Sequence, residues 1–139
     1  MPLIEKEYLG KKGEGAYWTV MIVDDSIFQQ EQIERMLQSE KFEVIAKASS
    51  GEEAIKLYPE KKPDIVLMDI QMPGIGGIEA TKQIKQINPN AIIIACTSLS
   101  NKKFVQEAIL AGCSHYIVKP IKRNSFFECI IHSLKKFNK

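Results

Sequence analysis

Three aspartates and a lysine stand at the ends of short apolar runs in this chain of 139 residues. Asp24 and Asp25 follow Trp18 to Val23, Asp69 follows Asp64 to Met68, and Lys119 follows Tyr116 to Val118. Thr97 closes a further run, Ala91 to Cys96. Carboxylates gathered in one place repel one another, so they must protonate or recruit a cation. A hard divalent ion such as magnesium takes oxygen ligands, accepts one or two carboxylates, and leaves room for water and a phosphate oxygen. A site of that kind admits a phosphoryl group. A carboxylate can then act as nucleophile toward phosphorus and form an aspartyl phosphate, with a cation and a lysine neutralising the equatorial oxygens. Lys119 and the Thr97 hydroxyl suit that task.

These residues meet only if the chain between them folds in a particular way. Counting Phe42 to Ala46, five short runs are nearly continuous in apolar character, as expected of parallel strands covered on both faces. Helical signals lie between them. Ser26 can cap a helix whose Ile33, Met36 and Leu37 share a face, and Ser50 with Glu53 has capping-box spacing. Ser100 precedes a run with Phe104, Ala108 and Ala111 in period, stopped by Gly112. A last helix sets Phe127, Ile130, Ile131 and Leu134 on one side. Five βα units in succession predict an α/β fold, a doubly wound five-stranded parallel sheet with helices on both faces. In such a sheet the working crevice lies beyond the carboxyl ends of the strands, where the aspartates, Thr97 and Lys119 stand.

Residues 1–16 read differently, with charges of both signs, three glycines and no sustained hydrophobic period. They are expected to be a flexible extension, with the folded domain spanning 17–139.

Several motifs together resemble one family. Asp24-Asp25-Ser26, the run Met68-Asp69-Ile70-Gln71-Met72-Pro73-Gly74, Thr97-Ser98 and Tyr116-Ile117-Val118-Lys119-Pro120 are similar to the receiver domain of bacterial two-component response regulators. The likeness covers about residues 18 to 137. It implies a flavodoxin-like (βα)5 fold with strand order 2-1-3-4-5, an order taken from the resemblance. It implies that Asp69 is the phosphoacceptor. Asp25, Asp69 and the backbone carbonyl of Gln71 would bind Mg2+ directly, and Asp24 would hold a metal-bound water. Lys119 would pair with a phosphoryl oxygen, its bond to Pro120 being cis. Thr97 would move toward the phosphoryl group and Tyr116 would swing inward behind it. Gln71 and Leu99 would flank the path of the water that removes the phosphate. Ser98 and Cys113 depart mildly from the family pattern, and Gln29 and Gly76 replace residue types common at their positions.

Plainer readings stand beside these. An Asp-Asp pair at a strand end is often a helix cap, Tyr116 could be half-buried packing, and Leu99 could merely pack on the fourth helix. Cys96, Cys113 and Cys129 read as small core residues. His115 and His132 have no ligand spacing and read as surface or packing residues. Gly74, Gly76 and Gly77 read as a turn.

Composition narrows the classes further. With 45% hydrophobic and 26% charged residues the chain has the make-up of one globular domain, and 19 basic against 17 acidic residues argue against direct nucleic-acid binding. Three widely spaced cysteines point to a reducing cytoplasm. No membrane insertion is expected, since the longest apolar run has a strand's length. A haloacid-dehalogenase-type phosphatase would want a second acid where Gln71 stands. A flavodoxin-like mononucleotide binder would want hydroxyls and amides where Asp24 and Asp25 stand. The expected role is a stand-alone, chemotaxis-like signalling receiver, not a turnover enzyme beyond its own phosphorylation and dephosphorylation. A sensor histidine kinase or histidine phosphotransfer protein would supply the phosphoryl group. Because no output domain follows, a downstream target protein would read it, unless the chain is the receiver part of a longer regulator. The expected partner face includes Lys102, Lys103, Glu107, Lys122 and Arg123.

Overall fold

A computed structural model describes residues 7–135. Two short strands, β1 (Lys11–Gly13) and β2 (Ala16–Tyr17), form an antiparallel pair. The main body then alternates β3 (Thr19–Val23), α1 (Ile27–Ser39), β4 (Glu43–Ala48), α2 (Gly51–Lys61), β5 (Ile65–Met68), α3 (Gly76–Ile87), β6 (Ile93–Thr97), α4 (Lys102–Ala111), β7 (His115–Val118) and α5 (Arg123–Lys135). The five long strands form one parallel sheet in the order β4-β3-β5-β6-β7, which is 2-1-3-4-5 when only these strands are counted.

Alternation along the strands builds two cores. Met21, Val23, Val66, Met68, Ile93 and Ala95 face one way, onto Ala54, Tyr58, Ala80, Ile84 and Ala108 of α2, α3 and α4. Val20, Ile22, Ile65, Leu67, Ile94 and Cys96 face the other way, onto Ile33 and Leu37 of α1 and Phe126, Phe127, Ile130 and Leu134 of α5. β3, β5 and β6 are buried on both faces, as central parallel strands are. Ile131, expected with the buried face of α5, is only partly buried, and Phe126 takes the central place.

Two caps differ in detail from expectation. Ser50 accepts the Glu53 amide at 3.1 Å, but the Glu53 carboxylate returns to the amide of Ser49 rather than that of Ser50. The cap of α4 is Asn101, whose side chain accepts from Lys103, and Ser100 lies one residue outside. A side-chain amide oxygen satisfies an orphan helix amide as well as a hydroxyl does, so residue type alone does not fix the cap at Ser100.

The expected flexible extension falls partly outside the described residues, at 1–6. From residue 8 onward it is docked. The Gly10 amide donates to the Glu40 carbonyl at 2.7 Å, the Trp18 amide to Gly10 at 2.7 Å, and the Leu9 amide to the Glu40 carboxylate at 3.1 Å. Gly10 runs so close to the α1–β4 connection that a side chain there would strike the backbone of Glu40 and Phe42. Lys12 pairs with Asp64 at 3.1 Å and lies over the Trp18 ring. Backbone pairing, which leaves no hydrophobic period, holds this segment.

Candidate functional site

β3 and β5 lie side by side in the sheet, so their carboxyl ends bring Asp24, Asp25 and Asp69 to one point of the edge. One oxygen from each lies within 4.8 Å of the others. Asp24 and Asp69 are buried, while Asp25 is exposed. β6 places Thr97, fully buried, beside them, and β7 brings Lys119 from the outer edge. The Lys119 ammonium donates to Asp24 at 2.6 Å and to Asp69 at 3.3 Å. The Lys119–Pro120 peptide bond is cis.

Asp24 is oriented from several directions. One carboxylate oxygen accepts the Ser26 amide at 2.9 Å and the other accepts Lys119. Its backbone carbonyl accepts the Gln30 side-chain amide at 2.6 Å, and that amide also reaches Ala48 and Ser49. Sequence reasoning passed over Gln30. Its signal was a polar residue on the period of Ile33 and Leu37, a buried face where an amide must find partners.

Asp69 accepts the Gln71 amide at 3.2 Å. Burial is the main cause that raises its pKa above the ordinary carboxylate value, with the charge of Asp24 adding to it, while Lys119, the Thr97 hydroxyl and the Gln71 amide oppose the rise. For Lys119, burial works against the ammonium, but the hydrogen bond and charges of Asp24 and Asp69 outweigh it and hold its pKa above the usual lysine value. A buried carboxylate disfavoured by its surroundings and flanked by two more is a donor set that gains from a hard divalent cation. The ligand atoms that the three aspartates offer are all carboxylate oxygens, the kind magnesium prefers.

Gly77 is more than part of a turn. Gly74 and Gly76 have positive φ, of 83° and 78°, whereas Gly77 lies against the backbone carbonyl of Asp69, where any Cβ would collide. Its amide donates to Ile70 at 3.0 Å. α3 therefore packs its first turn directly under the Asp69 loop.

Of the remaining expected residues, Gln71, Leu99 and Tyr116 connect to the same edge. The Tyr116 hydroxyl donates to the Leu99 carbonyl at 2.6 Å, and the Leu99 amide donates to the Thr97 hydroxyl at 3.4 Å. Leu99 is half-buried and packs on the core beneath α4, so its side chain is in part a packing group. Gln71 is exposed beside Asp69. On the expected partner face, Lys102, Lys103, Lys122 and Arg123 are exposed, but Arg123 also donates to Glu40 at 2.7 Å. Cys96 and Cys113 are buried and Cys129 is half-buried. His115 and His132, separate in sequence, have ring nitrogens 2.9 Å apart.

The model of the response regulator receiver domain matches residues 20–131. The chain belongs to the receiver domain family. It is 42% identical over 111 residues to the chemotaxis protein CheY of Thermotoga maritima, covering 80% of this chain and 92% of that protein. It is also 42% identical to the CheY of Bacillus subtilis, over 83% of this chain and 96% of that one. Among solved structures, CheY in the CheX-CheY-BeF3-Mg2+ complex of Borrelia burgdorferi is 33% identical and superposes with a TM-score of 0.83, covering 86% of this chain and 91% of that one. As a CheY-like receiver, the protein serves phosphorylation-dependent signalling in a two-component system, and its family is one of signalling domains rather than of enzymes. Among the described residues no helix is long and apolar enough to cross a membrane.

Proposed function

We propose that Asp69 accepts a phosphoryl group from a phosphohistidine of a sensor kinase or phosphotransfer protein. The observation that carries this reading is the meeting of Asp24, Asp25 and Asp69 at one sheet edge with the Lys119 ammonium between two of them. An Asp69 oxygen forms the new bond to phosphorus as the P–N bond of the donor breaks, and the imidazole nitrogen keeps the electron pair. Asp25, Asp69 and the Gln71 carbonyl would hold Mg2+, with Asp24 holding a bound water. When bound, magnesium supplies a hard positive charge for the phosphoryl oxygens. Lys119 neutralises another of those oxygens once Asp69 is an acyl phosphate and no longer competes for its protons. Thr97 supplies a hydroxyl beside Asp69.

Loss of the Asp69 negative charge and arrival of the phosphoryl oxygens change what Thr97 and Lys119 bind. Thr97 turning toward the phosphoryl group frees the Leu99 amide, and the loop that Tyr116 holds can then move. This couples the site to the face of α4, β7 and α5, where a downstream target protein would bind across Lys102, Lys103, Glu107, Lys122 and Arg123. Gln71 and Leu99 tune how fast water removes the phosphate. The signalling unit is residues 17–139, working in the cytoplasm, with residues 1–16 outside the chemistry. An aspartyl-phosphatase reading is weaker, because the position two residues beyond Asp69 carries Gln71 and no second acid.

Mixing the protein with a phosphorylated histidine phosphotransfer domain and Mg2+ tests the reading. Label should pass to the parent chain and not to Asp69→Asn. Transfer to both would place the acceptor elsewhere.

A further inference from the structure

We propose that His115 and His132 form a two-imidazole site for a divalent transition-metal ion of the nickel and zinc class, separate from the acidic edge. His115 opens β7 and His132 lies in the last turns of α5. The chain brings them together across 17 residues, with His115 Nε2 2.9 Å from His132 Nδ1 and the ring planes at 70°. Two nitrogens bound to one ion at about 2.1 Å lie about 3.0 Å apart at a right angle and about 3.4 Å apart at the tetrahedral angle. The present gap is therefore close to the spacing a shared ion needs, and each ring must turn by roughly 35–45° to swing its lone pair from the facing nitrogen onto the ion.

The backbones beneath the rings are fixed. His115 is paired with Ile94 in the sheet, and α5 is anchored around His132 by the buried Ile130, Ser133 and Leu134. Donors held in place before the ion arrives lose little freedom on binding it. His132 is exposed and His115 half-buried, so an ion can enter from solvent and complete its shell with water. In the hydrogen-bonded pair one facing nitrogen carries a proton. That proton leaves for water or for the far nitrogen of its own ring, and both facing nitrogens then donate lone pairs.

Imidazole selects nickel, zinc and copper over magnesium, which prefers the carboxylate oxygens at the other end of β7. Helical spacing sets Glu128 one turn before His132 and Lys135 one turn after it, an attractive and a repulsive charge that partly offset. A bound ion would tie α5 to β7 at the residue before Tyr116.

The test uses untagged full-length protein with the acidic edge saturated by Mg2+, titrated with Ni2+ and followed by its histidine ring NMR signals and by calorimetry. The His115 and His132 ring signals should broaden first. His115→Gln and His132→Gln should each weaken Ni2+ binding by roughly tenfold or more. Thermal unfolding in metal-free buffer checks that both variants fold, and His115→Ala and His132→Ala replace either one that does not. Unchanged Ni2+ affinity in both variants, an effect of only one of them, broadening centred on the acidic edge or Cys129, or no binding at millimolar Ni2+ would each overturn the site.

Discussion

The Tyr116 hydroxyl donates a 2.6 Å hydrogen bond to the carbonyl of Leu99, tying β7 to the loop that follows Thr97. Burial raises the pKa of that hydroxyl, with the charge of Asp69 adding to the rise, so it remains a donor across the physiological range. Tyr116→Phe removes the donor and leaves the ring. The expected result is faster amide exchange over residues 98–101 with a global stability loss of about 1 kcal/mol. Hydrogen exchange measured by mass spectrometry checks it. Unchanged exchange would show that the loop is held by other contacts.

The carboxylate of Asp69 should be a source of instability in metal-free buffer. Its pKa in the folded protein lies above the ordinary carboxylate value of 3.8, chiefly because it is buried, so the folded state binds its proton more readily than the unfolded state. Stability therefore falls as the pH rises from the unfolded value through the raised folded one, and it is regained on acidification through that window. Asp69→Asn should stabilise the protein at neutral pH by on the order of 1 kcal/mol and flatten this dependence. Denaturant melts of both proteins in chelator, at several pH values, decide it. A variant less stable than the parent at neutral pH would show that the bond to Lys119 outweighs burial.

Gly77 has no room for a side chain over the Asp69 carbonyl. Gly77→Ala must push α3 away from the acceptor loop, and overpacking of this kind costs about 1–3 kcal/mol. We expect that loss together with slower phosphorylation of Asp69, because the carboxylate moves relative to Lys119. Chemical unfolding and phosphorylation kinetics on the same preparation measure both. Normal kinetics in a destabilised variant would separate the packing of α3 from the geometry of the acceptor.

The acidic edge was legible in the sequence because it needs only strand ends, and strand ends follow from apolar runs whose lengths are short and clear. Asp24, Asp69, Thr97 and Lys119 each close such a run, and the sheet brings them together. Contacts made between elements were not legible. Gln30 looked like one more polar helix residue until Asp24 and Ala48 became its partners. Gly77 looked like a turn, since a close approach leaves no trace in local pattern. The docking of residues 8–18 depends on Glu40, whose carboxylate serves both Leu9 and Arg123. His115 and His132 carried no spacing signal because their nearness is a product of packing α5 on β7.

Leu99 sits two residues beyond Thr97, and on the proposed role its apolar branched side chain would obstruct water and offer no base to activate it. Phosphate should leave Asp69 more slowly in the parent than in Leu99→Ala or Leu99→Glu, by roughly tenfold or less, since the nucleophile is water in every case. First-order loss of phosphate at fixed magnesium and pH is the measurement. Equal rates in all three would leave Leu99 as packing alone.

The central claim is that Asp69 carries the phosphoryl group, and intact-mass measurement after incubation with a small phosphodonor and Mg2+ tests it most directly. The parent should gain the mass of one phosphoryl group. Asp69→Asn should gain none, and the parent in chelator should gain far less. Mass addition that survives Asp69→Asn, or that proceeds equally in chelator, would contradict the account.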